Sequence, residues 1–233
     1  AENVAKDFNI TRADMDAFAL ASQKRAANAI EKGYFKDQIT PVKITKKREE
    51  FAFDTDEHVR GETTADGLAS LRPAFDKEGQ VTAGNSSGIN DGAAALILGN
   101  AEKVEKSNKS PLAKIISYGF GGVAPRIMGM GPVPASKMAL ERAGLKVSQI
   151  DIVESNEAFA AQACAVSKEL SLPSDIVNPN GGAIALGHPV GATGAIIMTK
   201  LIYELHRTGG RYGLATMCIG GGQGIAVIID TQV

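Results

Sequence analysis

The spacing of apolar residues near the start of the chain predicts a long helix. Apolar and small residues recur at helical spacing over residues 12–32, with polar residues between them. Thr11 is the predicted N-cap, and Asp14 three residues later gives a weak form of the capping box. Gly33 follows the last turn, at the position where a glycine ends many helices.

The pattern changes after this helix. From Thr40 to Arg60 charged residues alternate with apolar ones, which predicts short strands and loops at a surface. A short helix is predicted around Thr64–Phe75, and a glycine-rich turn follows at Ala83–Gly92. The wholly apolar run AAALIL at 93–98 predicts a strand that is covered on both faces.

From Lys109 onward, apolar runs and helical patterns alternate regularly. Strands are predicted at 112–118, 150–154, 176–178, 212–217 and 225–230, and helices at 134–143, 156–170 and 191–207. The order βαβαβαββ indicates a mixed sheet with helices on its faces. We therefore predict an α/β layered domain over residues 109–233.

Composition excludes several classes of function. The 25 basic and 26 acidic residues give a net charge of −1, which lacks the basic footprint of a nucleic-acid binder. No apolar run approaches the roughly 20 residues of a membrane helix, and the start has no signal or transit pattern. Two cysteines and three histidines in unrelated contexts predict neither a disulfide framework nor a metal site.

Glycine is the one unusual component: 26 of 233 residues, about 11%, against roughly 7% on average. The glycines cluster in the second half of the chain. Ligands of α/β sheets gather beyond the carboxyl ends of strands, and three segments are predicted to emerge there, at 154–159, 181–194 and 218–224. These segments form the candidate site.

A histidine and a cysteine are its candidate catalytic residues. His188 lies between Gly187 and Pro189, just before a predicted helix N-terminus, which favours the neutral imidazole. Cys218 precedes three glycines whose amides can stabilise a thiolate or an oxyanion. Such a pair fits either nucleophilic catalysis by a histidine-activated cysteine or proton abstraction next to a carbonyl. The spacing leaves both open.

Other polar residues are predicted to be structural. Cys164 lies mid-helix among alanines and is assigned to the core. His58 lies in a charged loop, and His206 lies near a helix C-terminus, where a cation is favoured. Asn156 opens a predicted helix directly after a strand and fits the role of an N-cap.

Three motifs, in order, resemble those of the thiolase family: NEAFA at 156–160, NPNGGAIALGHPVGATG at 178–194 and CIGGG at 218–222. The segment TAGNSSGINDGAAA at 82–95 is also similar to a thiolase segment. The order and separations agree, and the resemblance extends along essentially the whole chain. It implies a thiolase fold of two βαβαβαββ halves packed back to back, with a loop domain over the coenzyme A site.

The resemblance also implies a division of the chain. Residues 1–88 would be part of the loop domain, 89–108 a strand of the N-terminal domain and 109–233 the C-terminal domain. The nucleophilic cysteine of the family lies in the N-terminal half, and neither cysteine here matches it. We therefore expect a fragment or split subunit that is inactive without an N-terminal half, with a processed precursor as the alternative explanation for a start without methionine.

Thiolases condense or cleave acyl thioesters by a ping-pong Claisen reaction through an acyl-cysteine. By motif, the resemblance makes His188 the base that activates the nucleophilic cysteine and Cys218 the second acid/base. It implies that Asn156 orients a water in one oxyanion hole, which His188 also lines. The Gly220 amide would contribute to the other oxyanion hole.

Four further residues are assigned to the substrate by the same resemblance. Ser87 is similar to the serine that contacts the pantetheine arm, and Arg60 to the residue near the nucleotide end. Phe159 and Met128 would line the acyl pocket. The implied substrates are coenzyme A thioesters, acetyl-CoA and acetoacetyl-CoA, with no cofactor besides them and no nucleic-acid or membrane partner.

Within the family, the sequence NEAFAAQA and the Met128 of RIMGMGP are similar to the short-chain, acetoacetyl-CoA type. A degradative thiolase of broad chain length is the alternative within the enzyme class. A non-catalytic thiolase-like protein that binds acyl-CoA or lipid is the alternative from another class. The resemblance further implies a homo-oligomer, dimer or tetramer, in the cytoplasm or alternatively the mitochondrial matrix, and the C-terminus shows no peroxisomal tripeptide.

Overall fold

The computed structural model describes residues 1–233, and its elements follow the alternation predicted for the second half of the chain. Helices α1 to α8 span Glu2–Asp7, Arg12–Glu31, Ala65–Ala69, Ala101–Lys106, Pro132–Ala143, Ala160–Leu170, Ala183–Leu186 and Thr193–Thr208. Strands β1 to β6 span Val42–Lys46, Glu49–Phe53, Lys114–Gly122, Ile152–Ser155, Tyr212–Ile219 and Gln223–Asp230. Short 3-10 helices lie at Pro125–Met130 and Val147–Gln149.

A four-stranded mixed sheet forms the centre of the molecule. Its strand order is β3-β6-β5-β4, with β4 and β5 parallel and β6 antiparallel to both of its neighbours. The predicted α/β sheet over 109–233 is thus confirmed, and its long elements lie within a few residues of their predicted bounds. All four residues of β4 and most of those of β5 are buried, as expected for strands between two helical layers.

The predicted strand at 176–178 is reduced to an isolated bridge between Val177 and Val153. Asn178 departs from strand geometry with a φ of 44°. Its side-chain amide accepts from the Ser155 backbone N–H at 2.9 Å and donates to the Ser155 carbonyl at 2.8 Å. The Asn178 side chain therefore occupies the position beside β4 that the backbone of the predicted 176–178 strand would have had.

Two hydrophobic clusters flank the sheet. Helix α5 covers the face that includes Ala226 and Ile228 of β6 and Leu214 of β5. This face belongs to the larger cluster, to which α6, packed against α5, also contributes. Helix α8 covers the opposite face with Ile197, Leu201 and Leu205 against Ile229 of β6 and Ala215 of β5. The loops at the carboxyl ends of β4 and β5 are thus anchored between two packed layers.

The first long helix confirms its predicted caps. In α2 the Thr11 side chain accepts from the Asp14 backbone N–H at 3.2 Å, and the Asp14 carboxylate accepts from the Thr11 N–H at 2.9 Å. Gly33, just past the helix, has a φ of 70°. Helix α2 packs on α6 and α7, and its Arg25 donates to the Val177 carbonyl at 2.7 Å, so it braces the loops that follow the sheet.

Strands β1 and β2 pair as an antiparallel hairpin, which confirms short strands between residues 40 and 60. The helix predicted around 64–75 is shorter than expected, because the chain beyond α3 is drawn into an antiparallel bridge between Pro73 and Thr82. No helix of the structure is both long and apolar enough to cross a membrane.

The run at 93–98 forms no strand within residues 1–233. These residues carry no regular secondary structure, and Ile97 and Leu98 are 102% and 76% exposed. A strand exists only where a neighbouring strand satisfies its backbone groups, and no strand of residues 1–233 lies beside this run. The assignment of residues 89–108 to an N-terminal domain stays a prediction.

The helix predicted to open at Asn156 begins later, so Asn156 is not an N-cap. Helix α6 starts at Ala160, and Phe159 precedes it without a side-chain cap. Phe159 is extended because this segment pairs with a distant one: Ser86 bridges Phe159, and the Ser87 N–H donates to the Ala158 carbonyl at 3.1 Å. This frees the Asn156 side chain for another contact.

Candidate active site

The carboxyl ends of β4 and β5 bring two of the predicted site residues side by side. Ser155 of β4 is in register with Thr216 of β5, and the Asn156 N–H donates to the Thr216 carbonyl at 2.9 Å. Cys218 lies two residues further along β5, inside the strand rather than after it. Parallel pairing therefore places Asn156 and Cys218 at one edge of the sheet.

His188 is held at three points. Its ring Nε2 lies 3.4 Å from the Asn156 Nδ2, and its ring Nδ1 lies 2.7 Å from the Thr193 Oγ1. Its backbone N–H donates to the Asn90 Oδ1 at 3.1 Å. The ring is half-buried, and this burial lowers the pKa of His188, so the neutral imidazole is favoured by burial rather than by the helix N-terminus alone.

The glycine-rich segment at 82–92 contacts both the 156–160 motif and the loop that carries His188. At one end, the Ala160 N–H donates to the Asn85 carbonyl at 2.9 Å. At the other end, Ile89 forms a parallel bridge with His188. The segment therefore fastens the 156–160 motif to the loop that carries the histidine.

A buried carboxylate lies beneath this arrangement. Glu157 Oε2 accepts from the Ser22 hydroxyl at 2.7 Å and from the Ile184 N–H at 3.2 Å, while Oε1 accepts from the Asn178 Nδ2 at 2.7 Å. The Ser22 hydroxyl in turn accepts from the Gly182 N–H at 3.0 Å. We call these five residues the Glu157 cluster. Burial raises the pKa of Glu157, and its three donors counteract that shift by stabilising the ionised form.

A buried ion pair lies next to the cluster. Lys200 Nζ contacts the Glu154 Oε2 at 2.7 Å and the Gly181 carbonyl at 2.6 Å, and both side chains are almost fully buried. Burial raises the pKa of Glu154 to about 7, and Lys200 opposes that shift. The pair fixes α8 to β4 and to the start of the loop that carries His188.

Cys218 is buried, and burial raises the pKa of its thiol. Desolvation is thus the largest influence, so the resting side chain is a thiol rather than the stabilised thiolate that the glycine run suggested. Cys164 is half-buried against the larger core cluster, and burial raises the pKa of its thiol to about 12. This environment agrees with the structural role predicted for Cys164.

Two predicted substrate residues, Phe159 and Ser87, and the predicted oxyanion residue Gly220 differ in how far they are buried. Phe159 is partly buried and packs edge-to-face on Phe75, with ring centroids 6.0 Å apart. Ser87 is half-buried and bonded through its backbone beside Phe159. Gly220 is exposed in the turn between β5 and β6.

Neither Met128 nor Arg60 is hydrogen-bonded to His188 or to the residues that hold it. Met128 is half-buried in the 3-10 helix at Pro125–Met130, which packs on α1 and α6. Arg60 has an exposed side chain, and its backbone N–H donates to the Gln23 Oε1 at 2.7 Å. The roles given to these two residues stay predictions.

Sequence reasoning missed Asn90 and Thr193, which hold His188 directly. The only feature of the sequence that could have identified them is their position inside the motifs at 82–95 and 178–194. It also underrated His58, whose Nδ1 lies 3.3 Å from the Asn90 Nδ2. Burial, followed by the nearby Arg60, lowers the pKa of His58.

Comparison with known proteins agrees with this geometry. A model of the thiolase C-terminal domain matches residues 109–231, and a model of the thiolase N-terminal domain matches residues 1–102. The chain belongs to the thiolase family. Its mixed sheet with helices on both faces is accordingly the thiolase fold.

Individual thiolases are similar over almost all of this chain but are longer. A beta-ketothiolase of Cupriavidus necator is 58% identical over 99% of the chain and 59% of its own length. An acetyl-CoA acetyltransferase of Shinella zoogloeoides is 53% identical over the same shares. The chain thus spans about 59% of the length of these curated relatives.

Solved structures give the same result. The acetyl-CoA acetyltransferase of Bacillus anthracis superposes with a TM-score of 0.96 and 49% identity, over 98% of this chain and 58% of that one. Human mitochondrial 3-ketoacyl-CoA thiolase in complex with CoA superposes with a TM-score of 0.92 and 46% identity, over 99% and 57%.

The loop geometry at His188 yields a prediction about Gly187. Gly187 has a φ of 98°, and a Cβ there would lie 2.5 Å from the Asn90 Cγ. Gly187→Ala should therefore lower the free energy of unfolding by about 1–3 kcal/mol through backbone strain, and it should displace Asn90 from the His188 N–H. Urea unfolding of the purified chain measures the change.

Gly191→Ala is the matched control, because a Cβ there meets nothing within 4 Å and no left-handed φ is required. It should alter the unfolding free energy by less than about 0.5 kcal/mol. Equal stability of the two variants would show that the His188 loop is not constrained as described.

Proposed function

We propose that this chain is the C-terminal portion of an acetyl-CoA C-acetyltransferase, an acyltransferase that reversibly condenses two acetyl-CoA molecules to acetoacetyl-CoA and coenzyme A. The acyl-cysteine of the reaction is supplied by an N-terminal half beyond this chain, on the same or a separate polypeptide. The chain alone is accordingly inactive, because a ping-pong acyl transfer has no first half without its nucleophile.

The observation that carries this proposal is that Asn156 lies between the two candidate residues at one edge of the sheet. Its side chain lies 3.4 Å from the His188 Nε2, and its backbone N–H donates to the carbonyl of Thr216, two residues before Cys218. Burial lowers the pKa of His188 and raises that of Cys218. Each group is therefore in the form that the first step of a Claisen cycle requires, one able to accept a proton and the other able to donate one.

In the first half-reaction His188 takes the thiol proton of the nucleophilic cysteine. The resulting thiolate attacks the thioester carbonyl of acetyl-CoA. As the carbon–sulfur bond to coenzyme A breaks, Cys218 gives its proton to the departing sulfur. The products are an acetyl-cysteine, free coenzyme A, an imidazolium at His188 and a thiolate at Cys218.

In the second half-reaction the Cys218 thiolate removes a proton from the methyl group of another acetyl-CoA. The carbanion attacks the acetyl-cysteine carbonyl, and the nucleophilic cysteine leaves with the proton held by His188. Both catalytic residues thereby return to their starting forms. Asn156 supports the oxyanion, since its Oδ1 is buried without a protein partner and can hold a water, and the Gly220 amide serves the second oxyanion.

Substrate contacts follow the same assignment. Ser87 contacts the pantetheine arm, Arg60 lies near the nucleotide end, and Phe159 with Met128 lines the acyl pocket. Acetyl-CoA, acetoacetyl-CoA and coenzyme A are the ligands, and no metal or additional cofactor enters the reaction. The enzyme is a cytoplasmic homo-oligomer, a dimer or tetramer, with the mitochondrial matrix as the alternative compartment.

The experiment that tests the function is transfer of labelled acetyl between coenzyme A pools. The chain combined with the N-terminal half should exchange label and cleave acetoacetyl-CoA, whereas the chain alone should do neither and carry no acetyl group by intact-mass spectrometry. Acetoacetyl thioesters should be preferred over 3-ketooctanoyl thioesters. Met128 fills the space that a longer acyl chain needs, and a longer chain could enter only by forcing strained side-chain conformations.

Three results would contradict the proposal in different ways. Binding of acetyl-CoA without transfer would favour the non-catalytic alternative. Equal kcat/KM for the two thioesters would favour a degradative thiolase of broad chain length. Turnover by the lone chain, with acetyl on Cys164 or Cys218, would refute the external nucleophile.

The division of proton transfers predicts the behaviour of Cys218→Ser. A serine hydroxyl is a far weaker acid than a thiol, so the anion that removes the methyl proton should not form and condensation should collapse. The acyl-enzyme should still form, because a coenzyme A thiolate is a good leaving group and can depart without first receiving a proton. Rapid-quench measurement on the complemented protein should show a preserved acetyl burst and a steady-state condensation rate at least about 10²-fold lower. Cys164→Ser is the control and should leave both phases unchanged; an equal fall of burst and steady state in Cys218→Ser would contradict the assigned roles.

A further inference from the structure

The hydroxyl of Thr193 has two partners that together determine where its hydrogen lies. Oγ1 is 2.9 Å from the Pro189 carbonyl oxygen and 2.7 Å from the His188 Nδ1. A carbonyl oxygen only accepts hydrogen bonds, so the contact with Pro189 is attractive only if the hydroxyl donates to it. If the hydroxyl donated to Nδ1 instead, two oxygen lone pairs would face each other at 2.9 Å.

With its hydrogen committed to Pro189, the hydroxyl can only accept from His188. The 2.7 Å contact then requires a hydrogen on Nδ1. A neutral imidazole carries one ring hydrogen, so Nε2 is left with a free lone pair. The geometry on the Nδ1 side thus selects one tautomer.

The other side of the ring agrees independently. Nε2 faces the amide nitrogen of Asn156 at 3.4 Å, and an amide nitrogen donates. A hydrogen on Nε2 would point at this donor. The Asn156 and Thr193 contacts therefore both favour hydrogen on Nδ1 and none on Nε2.

The position of Thr193 makes this selection rigid. It is the first residue of α8 and is 2% exposed. Its backbone N–H also donates to the Pro189 carbonyl at 2.9 Å, so the side chain and backbone of Thr193 hold the same oxygen. Helix α8 is itself fixed by the Lys200 ion pair with Glu154.

We propose that Thr193 is a positioning residue, which holds the neutral His188 ring as the Nδ1–H tautomer and leaves Nε2 as the nitrogen that accepts protons. The role of Nε2 as the reacting base rests on the proposed function. The tautomer itself does not, because it follows from hydrogen bonds within this chain.

The direct test is nitrogen-15 NMR of the labelled 233-residue chain at a pH above the His188 transition. Only three histidines are present, so His58→Gln and His206→Gln identify the His188 signals. Long-range correlation from the ring carbons should show Nε2 as the unprotonated nitrogen. A wild-type His188 with its hydrogen on Nε2 would overturn the proposal without the need for any variant.

Variants separate the hydroxyl from the methyl group of Thr193. Thr193→Ser should keep the Nδ1–H tautomer, whereas Thr193→Val should shift the ring toward Nε2–H. Thr199→Val is the matched control, since Thr199 lies on the same helix and donates only to the Ala195 carbonyl. An unchanged tautomer in a folded Thr193→Val would also overturn the proposal.

Acyl transfer by the complemented protein adds a functional readout. Thr193→Val should lower kcat at least about tenfold, and by no more than the roughly 10²–10⁴-fold that a general base contributes as a whole. KM should change little, and activity should be recovered in Thr193→Ser. A wild-type protein that shows the Nδ1–H tautomer but transfers no acetyl would refute the proposed function and leave the tautomer assignment intact. Full kcat in a Thr193→Val protein that has lost the tautomer would refute the link between them.

Discussion

The arrangement of the site depends on one buried carboxylate. Glu157 accepts three hydrogen bonds: from Ser22 of α2, from the side chain of Asn178, and from the Ile184 N–H in α7. Hydrogen bonds to a charged group contribute roughly 1.5–3 kcal/mol each, and a buried carboxylate without donors is strongly destabilising. The three segments are therefore held together because none can leave without exposing the charge to an apolar interior.

This constraint explains how loops can hold the side chains of the candidate site in a fixed arrangement. The 156–160 motif and the His188 loop are joined at two places, by the buried Glu157 cluster and by the 82–92 segment. His188 then needs only local partners, Asn156, Thr193 and Asn90, to fix its ring. Cys218 has a separate anchor, since it is part of a strand inside the sheet. His188 and Cys218 are thus positioned by different layers of the fold.

The sequence predicted the features that depend on local chemistry. The capped helix α2, the alternation of strands and helices after residue 109, and the glycine-flanked histidine follow from spacing and capping residues near in sequence. It failed where a distant segment decides the outcome. Asn156 is not a helix cap because Phe159 pairs with Ser86, about 70 residues earlier. The apolar run at 93–98 pairs with no strand of residues 1–233, and its assignment to an N-terminal domain stays a prediction. Thr193 and Asn90 were missed for the same reason, since only the folded loop brings their side chains to His188.

The central claim, that Glu157 holds the loop that carries His188 in place, is tested most directly by amide hydrogen exchange in Glu157→Ala. The Ile184 N–H loses its acceptor in this variant, and the Ser22 hydroxyl that accepts from the Gly182 N–H loses its own acceptor. We therefore expect the Gly182 and Ile184 amides to exchange more than about tenfold faster than in the wild-type chain, because a hydrogen bond to a charged group contributes roughly 1.5–3 kcal/mol. Amides of β6 should be unchanged, and Asp230→Ala, which removes a carboxylate at the far end of the sheet, should leave Gly182 and Ile184 protected. Unaltered exchange of those two amides in a folded Glu157→Ala chain would contradict the claim.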